Sequence, residues 1–150
     1  MQPPDSGYEQ RTRDSFARQN AMRTLGARLE SVEPGRVVMA MAHHDALTQQ
    51  HGFIHAGMLG AALDSACGYA AFSLMPAGAA VLTIEFKINL LAPAEGPQFR
   101  FEGQVIKPGR TISVVEGRAV QHAGDGANEK LIATMSATIM TVQGRASLQH

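Results

Sequence analysis

The stretch Gly57-Met58-Leu59-Gly60-Ala61-Ala62-Leu63-Asp64-Ser65-Ala66-Cys67-Gly68-Tyr69-Ala70-Ala71-Phe72-Ser73-Leu74 decides how the rest of the chain is read. It is rich in Ala, Leu and Met and lacks Pro and β-branched residues, so it predicts a helix over 57–74. The apolar residues run nearly all the way round, which places that helix inside the protein and not along its surface. Its many small side chains let another element approach the helix backbone closely. Pro76 and Gly78 stop it.

Beyond this helix the period changes to two. Ile84, Phe86, Ile88 and Leu90 alternate with Glu85, Lys87 and Asn89; Phe99, Phe101 and Val105 alternate with Arg100, Glu102 and Gln104. Residues 111–120 are rich in β-branched side chains, and Leu131, Ala133, Met135, Ala137 and Ile139 alternate with Thr134, Ser136 and Thr138. The connections 92–97, 107–110 and 123–128 are short and rich in Pro and Gly, so successive strands are expected to pair antiparallel. Lys87 and Arg100 then fall on neighbouring strands, as cross-strand partners for acidic residues. Before the long helix, 14–25 predicts a helix capped by Asp14 or Ser15 and ended by Gly26. Strands are expected over 27–32 and 36–42 around the Pro34-Gly35 turn. The order is helix, two strands, long helix, four strands. With no helices between the last four strands, a doubly wound fold is excluded and an α+β fold is expected: one curved antiparallel sheet wrapped on one buried helix. Residues 1–12 read as a loose arm and 143–150 as a frayed tail around a single domain.

The composition narrows the function. The chain has 150 residues, 45% hydrophobic and 17% charged, and thirteen Lys and Arg balance thirteen Asp and Glu. Without a basic excess, nucleic acid is not expected as a partner. A lone cysteine, Cys67, excludes an internal disulfide framework and fits a reducing, cytoplasmic setting. The N-terminal residues show no apolar signal core, and the closest approach to a membrane span, 58–75, carries Asp64. Between Asp45 and Glu85, Asp64 is the only Asp, Glu, Lys or Arg. A carboxylate in such a charge desert needs hydrogen bonds, a distant partner or a raised pKa, and groups tuned this way cluster in active sites. The alternative is an exposed position on a thin polar stripe with Ser65. Gly57 lies seven residues earlier, on the same helix face, where the helix start offers free N–H groups. Asp64 is too far along to act beside those donors within one chain. A second helix packed antiparallel on the small-residue face would bring the two together, so the geometry hints at a dimeric site.

The run from Gln49 through His55-Ala56-Gly57 to Asp64 resembles the PaaI-like hotdog thioesterases, whose pattern is a glycine, two residues, His-Gly-Gly, an apolar stretch, and an Asp or Glu nine residues after the His. Residues 82–94 and the segment Lys107-Pro108-Gly109-Arg110-Thr111 are also similar to this family, so the likeness spans about 36–141. The resemblance implies a hotdog fold over 1–150 and hydrolysis of an acyl-CoA or aryl-CoA thioester at a subunit interface of a homodimer or homotetramer. No cofactor or metal is implied. It assigns Asp64 as general base or nucleophile, the Ala56 N–H as a donor to the thioester carbonyl, Gln49 as its assistant, and Thr83 as the group that positions the water or the carboxylate. It places His55 and Gly57 around the bound thioester and gives Lys107 and Arg110 to the CoA phosphates. The chain departs from the pattern at Ala56, where the family has Gly.

Three rival readings stand beside this one. His43, His44, Asp45, His51 and His55 invite a metal, but no carboxylate or thiolate completes a ligand set nearby, and loop histidines bonded to backbone are the plainer reading. Cys67 reads as inert packing, and Met58, Met75, Met135 and Met140 as core or pocket lining. A non-catalytic acyl-CoA-binding module is the alternative function. A dehydratase using His51 with Asp64 ranks below it, because the motif of that class is absent.

Overall fold

A computed structural model describes residues 1–124 and 128–148. Two helices, α1 (Tyr8–Arg18) and α2 (Asn20–Leu25), precede strands β1 (Arg28–Glu33) and β2 (Arg36–Ala42); the long helix α3 (Ala56–Phe72) follows; then come β3 (Ala80–Leu90), β4 (Gln98–Lys107), β5 (Ile112–His122) and β6 (Lys130–Val142). All six strands form one antiparallel sheet in the order β1-β2-β4-β5-β6-β3. The sheet wraps α3, which packs against five of its strands. This is the α+β hotdog arrangement expected from the sequence.

The seat of α3 is cut into the sheet by glycine. Gly103 on β4 lies opposite Gly117 on β5. A Cβ on Gly103 would stand 2.3 Å from the Ala66 carbonyl oxygen, and one on Gly117 would stand 2.9 Å from Cys67 Sγ. On the buried side, then, the missing side chains that permit close approach belong to the strands as much as to the helix. Phe72, Phe99, Phe101, Met39, Met41 and Leu63 fill the space around this contact, and Met75 and Met135 join them. Cys67 is fully buried, and burial with the nearby Asp64 charge pushes its thiol up to about 12, so it is packing, as expected.

Five expectations are corrected. The 92–97 connection does not close a β3–β4 hairpin, because β3 lies at the far edge beside β6. The segment instead crosses the end of the sheet. Leu91 N–H bonds Ile132 O of β6, the Glu95 and Gly96 N–H groups bond Gln121 Oε1 of β5, and Pro97 O accepts from His43 N–H just past β2. Lys87 and Arg100 are therefore not on neighbouring strands; Arg100 pairs with Glu102 and Glu129, while Lys87 lies opposite Ser136. The expected loose arm is helical from Tyr8, because Arg11 ties it down. Its guanidinium binds Asp5 at 2.9 Å, donates to Met75 O at 2.7 Å and lies 4.3 Å over the Phe72 ring. The expected 14–25 helix is thus two helices broken at Gln19, whose ψ of 100° is extended. Asp14 caps neither; α1 starts after Gly7, with Asp5 accepting from the Gly7 N–H. In the expected tail, Ala146–Leu148 form a 3-10 turn and 149–150 lie outside the described residues, as do 125–127 in the last connection. No helix among the described residues is long and apolar enough to cross a membrane.

Candidate active site

The loop into α3 is held by its histidines. His43 Nε2 bonds Gly52 O at 2.9 Å, His44 Nδ1 accepts from Ala46 N–H, and Thr48 bridges Ile54 across a turn in which Gly52 takes φ 84°. These are the backbone-bonded loop histidines that the plainer reading anticipated. His55 caps α3: its Nδ1 accepts from Gly57 N–H at 2.9 Å, and its carbonyl accepts from Met58 and Leu59. A Cβ on Gly57 would come within 3.1 Å of that imidazole nitrogen, so a larger residue there would push the capping ring by a few tenths of an ångström. Gly57 N–H is thereby used inside the chain. Ala56 N–H has no acceptor among the described residues and faces outward at the positive end of α3. Ala56 is the first helical residue and its φ is negative, so the Cβ that departs from the family pattern brings no backbone strain.

Asp64 lies two turns further along α3, half-buried. Thr83 Oγ1–H of β3 donates to its Oδ1 at 2.7 Å, while Oδ2 has no donor among the described residues. Burial pushes the carboxyl pKa up, and the Thr83 hydroxyl opposes that shift only in part. The structure thus joins Asp64 and Thr83, which are nineteen residues apart, because β3 packs along α3 with Val81 and Thr83 on the helix side. Asp64 opens on two cavities. One, of ≈ 440 Å³, is walled by Gly57, Gly60 and Ala61 of α3 and by Phe86 and Ile88 of β3. The other, of ≈ 250 Å³, runs toward Ser65, Gly68 and Tyr69.

The remaining expected residues are spread out. Gln49 lines a groove beside Ala56 and Leu90, but its Oε1 is turned back to accept from His51 N–H. Lys107 and Arg110 are exposed, and Arg110 borders Leu74, Met75 and Pro76 beyond the C-terminal end of α3. The length of that helix, about 24 Å at 1.5 Å per residue, separates them from Ala56 in the same chain. Gln19 was missed altogether. Ser65 Oγ–H donates to its Oε1 at 3.0 Å and it lines the smaller cavity, yet it lies forty-six residues upstream with no local signal.

The chain matches the family model of the Thioesterase superfamily over residues 51–126, half its length, a span that takes in the His55 cap, Asp64 and Thr83. It belongs to the thioesterase superfamily. Within that superfamily it is 56% identical to a thioesterase family protein from Silicibacter pomeroyi, with a TM-score of 0.88, covering 92% of this chain and all of that one. The PaaI protein of the E. coli phenylacetic acid degradation operon shares the fold at a TM-score of 0.80, with 21% identity over 90% of this chain and 93% of that one. A candidate esterase from Saccharolobus solfataricus is 35% identical over 92 residues, 61% of this chain; the chain spans just under two thirds of that relative's length, 65%.

Proposed function

We propose that this thioesterase-superfamily chain hydrolyses an acyl-CoA thioester across an isologous dimer. The observation that carries the reading is Asp64: a carboxylate with raised pKa, held by one hydroxyl, with its second oxygen free in a cavity that small residues leave open. Gly60 is four residues from both Ala56 and Asp64. A second α3 crossing antiparallel at Gly60 sets Asp64 against the Ala56 N–H of that copy. The sheet supports the same axis. β3 is an edge strand with Ile84 54% and Phe86 47% exposed, an arrangement that proteins cover. Its run Ile84-Glu85-Phe86-Lys87-Ile88 is self-complementary about Phe86, placing each Glu85 opposite a Lys87 when two copies pair antiparallel. Phe86 and Gly60 border one cavity, so a single two-fold axis serves strand and helix together.

In this site the helix-start N–H of one copy polarises the thioester carbonyl, and Asp64 of the other takes a proton from water as the water oxygen bonds to the carbonyl carbon. The tetrahedral intermediate then expels the thiolate: the C–S bond breaks, the acid is released, and the thiolate takes up the proton. If Asp64 attacks directly, an anhydride forms and water opens it; oxygen-isotope incorporation in a single turnover separates the two routes. Thr83 keeps the carboxylate oriented. Gln49 borders the groove leading to Ala56, and Lys107 and Arg110 are offered as surface cations for the CoA phosphates. The dehydratase alternative has no support from His51, which borders neither cavity at Asp64.

The test is complementation. Asp64→Asn removes the base; Ala56→Pro removes the donor, at a first helical position that suits proline after an extended residue, His55 having ψ 137°. Each variant alone is expected to release almost no free thiol from acyl-CoA esters. Mixed and re-associated, half the dimers are mixed and each holds one intact site, so about a quarter of the parental activity is expected to return. No return of activity from mixtures of folded variants rejects the shared site.

A further inference from the structure

The smaller cavity beside Asp64 is a half-open recess with its own chemistry. Gly68 stands one turn after Asp64 on the same face of α3, and although it is buried, a Cβ built on it meets nothing within 4 Å. The vacant space over Gly68 is the cavity itself, ≈ 250 Å³, walled by Ser65 and Tyr69 from the helix, Val81 and Thr83 from β3, and Gln19 from the break between α1 and α2. Its polar groups are mostly engaged. Ser65 donates to Gln19 Oε1, and the Tyr69 hydroxyl is within 3.3 Å of Ser15 Oγ. The Gln19 amide NH₂ has no acceptor among the described residues. No helix-breaking residue stands at 19; what the extended backbone there does is turn the carboxamide to Ser65 and the cavity.

We infer that Gln19 and Gly68 are the specificity-determining residues of the acyl pocket: Gly68 leaves the room, and Gln19 presents a donor to a hydrogen-bond acceptor borne by the acyl group away from its thioester. The inference rests on the thioesterase reading above and extends it to the acyl group. With the carbonyl at Asp64, an acyl chain laid along α3 passes over Gly68. A cavity of about 150 Å³ holds a benzene ring, so this one has room for a short chain or a single ring with a few further atoms and not for the whole of a long fatty chain.

The experiment compares kcat/KM over a straight-chain series of CoA esters, acetyl to palmitoyl, and over the pair hexanoyl and 6-hydroxyhexanoyl. The unaltered protein is expected to prefer chains of about four to eight carbons over palmitoyl by at least tenfold, and the hydroxylated ester over the plain one. Gly68→Val is expected to lower the octanoyl-to-acetyl ratio at least tenfold, and Gly68→Ala, the milder change, to move it in the same direction. Gln19→Leu is expected to abolish or invert the hydroxyl preference. Chain-length ratios unchanged in active Gly68→Ala and Gly68→Val proteins, or a hydroxyl preference that survives Gln19→Leu, would overturn the assignment and leave the hydrolytic reading standing. Absence of thiol release from every ester by the unaltered protein would overturn the hydrolytic reading, and the pocket assignment with it.

Discussion

In the proposed mechanism Asp64 trades stability for chemistry. Burial raises its pKa, so between the ordinary carboxylate value and the raised one the folded chain binds more protons than the unfolded chain. Stability therefore falls as pH rises through that window and stays at the lower level above it. Asp64→Asn removes this cost. At pH 7 the variant is expected to melt no lower than the parent while kcat drops about 10²–10⁴-fold, the usual worth of a general base. Calorimetry and steady-state rates check both halves, and parental kcat in the variant removes Asp64 from the mechanism. The Thr83 hydroxyl favours the charged form. Thr83→Val is expected to move the acid limb of the pH profile of kcat/KM upward, and Thr83→Ser to restore it. An unmoved limb would show that Thr83 does not tune the base.

Among the elements, the α3-to-sheet contact depends on atoms that are absent. Gly103 and Gly117 let the paired strands β4 and β5 reach the helix, and on Gly103 the nearest neighbours are backbone, which cannot rotate aside. Gly103→Ala is expected to lower unfolding stability by about 3 kcal/mol, the upper range for overpacking, in chemical denaturation. A loss under about 0.5 kcal/mol would mean that strand and helix separate easily. At the other end of α3, Arg11 accounts for the helix that sequence patterning did not locate. It donates to the backbone carbonyls of Phe72 and Met75, at and just past the last residue of α3.

The whole molecule is asymmetric in its edges. β1 ends the sheet on one side, and β3, long and apolar with Glu85 and Lys87 between its exposed residues, ends it on the other. Pairing through β3 is testable by charge. Lys87→Glu sets like charges opposite each other twice in the proposed dimer and is expected to weaken association about tenfold, since each cross-strand pair is worth roughly 0.2–1 kcal/mol. Adding Glu85→Lys restores opposite pairs and is expected to recover it. Sedimentation across a concentration series reads both, and equal association of the parent and Lys87→Glu rejects this edge as the seam.

What the amino-acid order settled by itself is whatever local periodicity records. The buried rod over 57–74, the alternating strands and their antiparallel sense follow from which side chains recur at which spacing. Asp64 stands out because the thirty-eight residues around it, 46–63 and 65–84, hold no other such charge. Partners far apart in the chain were left to the tertiary structure. Only the crossing over the end of the sheet moved β3 to an edge and brought Thr83 under Asp64. Only packing broke the first helix at Gln19 and set it against Ser65. A pattern of residues encodes which face is apolar, but not which distant face will meet it; that choice is made when all the surfaces compete for burial at once.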